Sequence, residues 1–209
     1  MCIRDSCSDC PPADRLLEHL DSQAIVLSEH VDYWDRLGWK DRFSSPLFSR
    51  RQESYSPLLN PKGPYTPEMV VDGEAEFVGS DAKRAADAIA KAARRPKAEV
   101  KLSRTQAGLQ VEIASPPASG DVWLALADDR DASEVAAGEN RGRRLEHIAV
   151  VRSLRKIGSV KRGGAFSQLV ELPAASAPQR VVVFVQEPGP GRVTGAALWR
   201  GGASIPGSQ

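Results

Sequence analysis

The stretch "CSDCPPAD", residues 7–14, decides how this chain is read. Two cysteines stand two residues apart, and two prolines follow at once. The following "PPADRLLEHL" reads as a helix, with proline in its first turn and Leu16, Leu17 and Leu20 on one face. A helix start offers unpaired N–H groups and partial positive charge, both of which stabilise a thiolate. Cys7, the more N-terminal sulfur, is then the attacking nucleophile. Cys10, one turn further in, is the resolving thiol. Asp9, an acid between the two, is expected to raise both thiol pKa values and to shift the pair toward a reductant. The same spacing also serves metal sites, usually twice over, and no second pair exists here. His30 offers a third donor, so Cys7, Cys10 and His30 form an alternative site for Cu(I) or Zn(II). An inert pair of cysteines is the third reading.

Working outward, the third cysteine, Cys2, also lies within the first ten residues, and the remaining chain has none. A disulfide-stapled scaffold spreads its cysteines through the fold, so clustering points to chemistry instead. Net charge is +1 and the pI is near 7.7, which gives no basic excess for nucleic acid. No apolar run approaches the ~18 residues of a membrane helix. No basic segment leads into an apolar stretch, so no signal peptide is expected in this chain. The opening "MCIRDS", residues 1–6, matches nothing around it and is read as a non-native or truncated start.

The first half alternates helix and strand signals. "AIVLSEHV" (24–31) has strand character. "SPLFSRRQESYSPLL" reads as a helix capped by Ser44 or Ser45. "MVVDGEAEFV" reads as a hairpin turning at Asp72-Gly73. "SDAKRAADAIAKAARR" is a helix capped by Ser80 or Asp81 and stopped by Pro96. Beyond Pro96 the period changes to two. Seven short runs follow, from "AEVKLSR" to "RVTGAALW", separated by turn residues, and they suggest a β-sandwich. The last residues, 201–209, read as a disordered tail.

Other candidates flank the dithiol. "HVDYWDRLGWKD" (30–41) carries Trp34 and Trp39, whose indoles either wall a substrate groove or fill a gap between the two domains, and His30 and Asp32, which could move protons for the thiols, His30 being alternatively a hydrogen-bonded structural residue. "GENRGRRLEHIAVVRSLRK" (138–156) is the densest basic stretch and suits a solvated or interface role, with His147 structural at a strand start.

"CSDCPPAD", "HVDYWDRLGWKDRF", "YTPEMVVDG", "EFVGSD", "GENRGRRLEHIAVVRSL" and "RVVVFVQEPGPGRVTGAALW" together resemble the secreted bacterial thioredoxin-like family called domain of unknown function 1223. The resemblance implies an α/β thioredoxin-like domain over 7–95 and an all-β, sandwich-like domain over 98–200. Relatives carry a strand directly before the dithiol, so the first strand is expected to be missing here. It also implies a cis bond at Thr66-Pro67, with Pro67 shaping the site beside Cys7 and Cys10 and the Thr66 backbone binding substrate. Export is implied, hence a periplasmic or secreted place. The expected function is thiol–disulfide exchange on a protein or a small thiol or disulfide, without a cofactor. The alternatives are a periplasmic copper-binding protein and a non-catalytic interaction module.

Overall fold

Three helices form where caps and apolar spacing place them in the computed structural model, which describes residues 1–35, 38, 40–173 and 179–201. Trp39 and the tail from 202 onward lie outside the described residues. Helix α1, Cys10–Leu20, buries Cys10, Ala13, Asp14, Leu17 and Leu20, one stripe at i, i+3, i+4 spacing. Helix α2, Pro46–Leu59, starts at Ser45, whose Oγ accepts the Leu47 N–H at 3.2 Å. It buries Phe48, Ser49, Gln52 and Tyr55. Helix α3, Ala82–Ala93, is capped by Asp81, whose Oδ1 accepts from Arg84 N–H at 3.0 Å.

Eleven strands make three sheets among the described residues. Strands β1 (Cys2–Ile3), β2 (Glu29–His30), β3 (Glu68–Val71) and β4 (Ala75–Val78) lie in the order β2-β1-β3-β4. Strands β5 (Glu99–Thr105), β6 (Gly108–Ala114) and β9 (Ala165–Val170) form a second sheet. Strands β7 (Gly120–Glu134), β8 (Arg144–Val160), β10 (Gln179–Gln186) and β11 (Val193–Gly201) form the third, in the order β11-β10-β7-β8. The second and third sheets share a core of Leu109, Val111 and Ile113 from β6 with Leu124 from β7 and Val181 and Val183 from β10. Each such fully buried side chain contributes about 1.5–3 kcal/mol.

This architecture corrects the expected α/β thioredoxin-like fold. Strand takes 42% of the described residues against 20% helix, and only three helices among them serve three sheets. The apolar run 24–31 yields just the paired dipeptide Glu29–His30. The strand expected to be missing is present: Cys2–Ile3 runs parallel to β2, and Cys2 pairs with Glu68 of β3. Nor are the helices served by the small sheet alone. Phe48 of α2 packs among Ala125, Ala127, Val151, Val182 and Phe184 of the third sheet. The face of α1 meets Ile148 and Ala149 of β8. Ser28, just before β2, bridges to Val150 of β8: Ser28 N–H donates to Ala149 C=O at 2.8 Å, and Val151 N–H donates to Ser28 C=O at 2.9 Å. Long period-two strands with apolar residues on both faces win the helices as partners, because they offer more apolar surface than two-residue strands do.

The β3–β4 hairpin turns at Asp72 (φ 51°) and Gly73 (φ 70°), closed by Glu74 N–H to Val71 C=O at 3.0 Å. Two consecutive positive φ values match the right-handed twist of the strands. The turn tucks under the β10–β11 hairpin, where Val193 N–H donates to Asp72 C=O at 2.8 Å. A Cβ on Gly73 would collide with the Gly191 carbonyl oxygen. Gly73→Ala is therefore expected to destabilise the protein by about 1–3 kcal/mol, from left-handed backbone strain alone. Denaturant unfolding checks this, and an unchanged midpoint would contradict it.

Candidate active site at the dithiol

The loop from β1 to α1 carries the two cysteines to the start of α1. Cys7 is half-buried and Cys10 is fully buried; all three cysteines are free thiols. The hydrogen bond with Cys10 is the main reason the Cys7 thiol pKa drops to about 6. Burial opposes the drop, while the Thr66 side chain and the Asp9 and Cys10 backbone N–H groups add to it. Burial first, then the neighbouring Cys7 sulfur and the Asp14 charge, push the Cys10 thiol far up. Burial likewise pushes up Cys2, inside the sheet, and makes it an inert thiol. The expectation that Asp9 would raise the Cys7 pKa fails for a geometric reason. Its side chain is exposed to water, whereas its backbone N–H faces the sulfur.

The Thr66–Pro67 bond is cis. Cys7 Sγ lies 3.7 Å from the Thr66 carbonyl oxygen. Cys7, Thr66 and Trp34 line one cleft of about 370 Å³, together with Arg4, Gly138 and Glu139. Trp34 is 39% exposed and leans on Tyr33, with ring centroids 5.5 Å apart. A larger cavity of about 410 Å³ touches Cys2, Leu17 and Phe184 but neither sulfur of the pair, and it is mainly apolar. The ionisable Cys7 thiol opens onto the smaller cleft.

His30 and Asp32 do not join the cleft. His30 is fully buried, with Nδ1 2.7 Å from Asp41 Oδ2, and this pairing, working against burial, holds Asp41 down at about 2. Asp32 faces α2, where the Ser49 hydroxyl donates to its Oδ1 and Asp32 N–H donates to Ser49 Oγ at 2.9 Å. Among the described residues, the three metal-donor side chains within 4.8 Å of one another are Asp5, His30 and His147; neither thiol is in that group. Half of the Lys and Arg residues in 138–156 form ion pairs across the third sheet: Arg144 with Glu134 at 3.2 Å, Arg152 with Asp128 at 3.6 Å and Lys156 with Asp121 at 2.7 Å.

Residues from the β7–β8 connection supply what sequence reasoning missed. Asn140 Nδ2 donates to the carbonyls of Asp5 and Cys7, each at 2.8 Å. Glu139 Oε2 accepts from the Ser8 N–H at 2.8 Å. This far hairpin therefore clamps the dithiol loop. The only trace in the sequence is an asparagine held between Gly138 and Gly142, both at positive φ (88° and 79°).

A family model described as "Protein of unknown function (DUF1223)" matches residues 4–186. The chain belongs to that family. The match spans the dithiol, the cis proline and the Asn140 clamp alike. An X-ray crystal structure of a protein from Agrobacterium tumefaciens has a similar fold, with a TM-score of 0.82 at 23% identity over 100% of this chain and 95% of that one. Among curated proteins none matches. No helix among the described residues is long and apolar enough to cross a membrane.

Proposed function

We propose that this DUF1223 member carries out thiol–disulfide exchange through Cys7 and Cys10. The observation that carries the reading is the contrast between the two thiols: a half-buried Cys7 lowered to about 6 at the wall of a cleft, beside a buried Cys10 held protonated. At neutral pH most of Cys7 is thiolate, the form that attacks a disulfide sulfur. The attack forms a mixed disulfide between Cys7 and the substrate and releases the first substrate thiolate. Cys10 then attacks Cys7, closes the Cys7–Cys10 disulfide and releases the second. Trp34 offers an apolar wall, and the Thr66 backbone offers hydrogen bonds to an extended substrate. A peptide disulfide or a small disulfide fits the open cleft. The compartment we propose, on the family resemblance, lies outside the cytoplasm, where disulfides persist.

Alkylation of the reduced protein as a function of pH tests the reading. Cys7 is expected to be labelled first, with a rate that rises through an apparent pKa of about 6. A Cys7 that titrates like a free thiol, at about 8.5, would remove the basis for the proposal.

A further inference from the structure

Closing the Cys7–Cys10 disulfide requires Cys10 to lose a proton, yet burial holds that thiol protonated. Asp14 stands one turn along α1 from Cys10, on the same buried stripe. Residues four apart on a helix have Cβ atoms about 5–6 Å apart. Asp14 Oδ2 accepts from His147 Nδ1 at 3.0 Å, across from β8. Asp14 Oδ1 is buried and has no hydrogen-bond partner among the described residues. A buried carboxylate oxygen left bare is costly unless a proton comes to it.

We propose that Asp14 is the base that takes the Cys10 proton on Oδ1, and that His147 is the positioning residue that holds Asp14 through Oδ2. The inference rests on the exchange reading above. In the step, Cys10 S–H gives its proton to Asp14 and its sulfur attacks the Cys7 sulfur of the mixed disulfide. The Cys10–Cys7 bond forms, the Cys7–substrate bond breaks, and the substrate leaves as a thiolate. Asp14 ends as a neutral acid and later gives the proton to solvent or to the departing thiolate. No outside oxidant is needed, because the substrate disulfide is the species reduced.

The surroundings keep His147 a donor. Burial pushes its pKa down, but hydrogen bonds to Asp14 and Asp5 outweigh burial and raise it to about 10. Its Nε2 lies 3.0 Å from Asp5 Oδ1 and 3.2 Å from Ser133 Oγ of β7. The His30 ring stands 4.9 Å away from β2, itself paired with Asp41. As an imidazolium at neutral pH, His147 donates from Nδ1 whether Asp14 is ionised or neutral.

An aromatic disulfide that releases coloured thionitrobenzoate reads the two steps separately. Attack by Cys7 releases one equivalent, and resolution by Cys10 releases the second. In Asp14→Asn the first phase is expected to keep its rate, while the second slows by about 100-fold, within the usual range for loss of a positioned base. His147→Gln is expected to slow the second phase less and to move its pH profile. A second phase in Asp14→Asn with the parent rate and pH profile overturns the inference. Should Asp14→Asn not fold, the parent protein decides. A second phase that levels off with rising pH supports a built-in base, and one that keeps rising in proportion to hydroxide overturns it. Absence of the first phase is a different result and ends the exchange reading itself.

Discussion

Cys7→Ser is expected to abolish disulfide exchange altogether, while Cys10→Ser is expected to accumulate mixed disulfides that do not resolve. A serine hydroxyl does not ionise near neutral pH, and no other sulfur can take over. Cys2 and Cys10 are both buried, with pKa values pushed upward by that burial. Loss should therefore reach the uncatalysed background. In Cys10→Ser the first attack survives, because serine keeps a hydroxyl that can donate to the Cys7 sulfur. In Cys10→Ala that donor is gone. Since it is the leading cause of the lowered Cys7 pKa, the value should climb above about 6, toward that of an ordinary thiol. Non-reducing gels and mass spectrometry of captured species report the adducts. Exchange that persists in Cys7→Ser, or adducts absent from Cys10→Ser, would defeat the assignment.

Arg180→Leu is expected to lower stability by about 3 kcal/mol, the lower end of the range for breaking a buried ion pair. Arg180 rises from β10 and is 2% exposed. Its guanidinium grips Asp21 at the end of α1 through two bonds, 2.8 and 3.1 Å, and Asp129 of β7 through Nε at 2.8 Å. Leucine would leave both carboxylates without their main partner in a half-buried seam. The cost stays at the low end because Arg200 still reaches Asp21 at 2.8 Å and Asp129 at 3.4 Å. Denaturant unfolding should show a lower midpoint at unchanged slope. A loss below about 1 kcal/mol would mean that the seam behaves like a surface pair.

Local signals were the legible part of this fold. The caps at Ser45 and Asp81, the proline-led start of α1 and the Asp72-Gly73 turn all follow from short-range chemistry, and the structure has each of them. The seven period-two runs fall on β5 through β11. Partner choice was not legible, because it depends on apolar area gathered from distant strands. Nothing within α2 says that Phe48 will pack on Ala125 and Val182. Residues 1–6 carry too short a pattern to announce a strand, yet Ile3 is fully buried. At the site, the sulfurs could be found by spacing and the Thr66-Pro67 dipeptide by family resemblance. Asp14, His147 and Asn140 could not. Their work is done across 133 residues of sequence, His147 to Asp14 and Asn140 to Cys7, and no local periodicity encodes such a bond.

The Asn140 clamp has a consequence for how this chain can be dissected and evolved. A segment cut at the Pro96 boundary would keep both sulfurs and the cis proline. It would lose the two carbonyl contacts that fix the dithiol loop, and it would bare the Phe48 face of α2 to water. The two-cysteine motif and the long-stranded half are thus inherited as one unit. Transplanting the eight-residue motif into another scaffold would carry over its letters without its restraint.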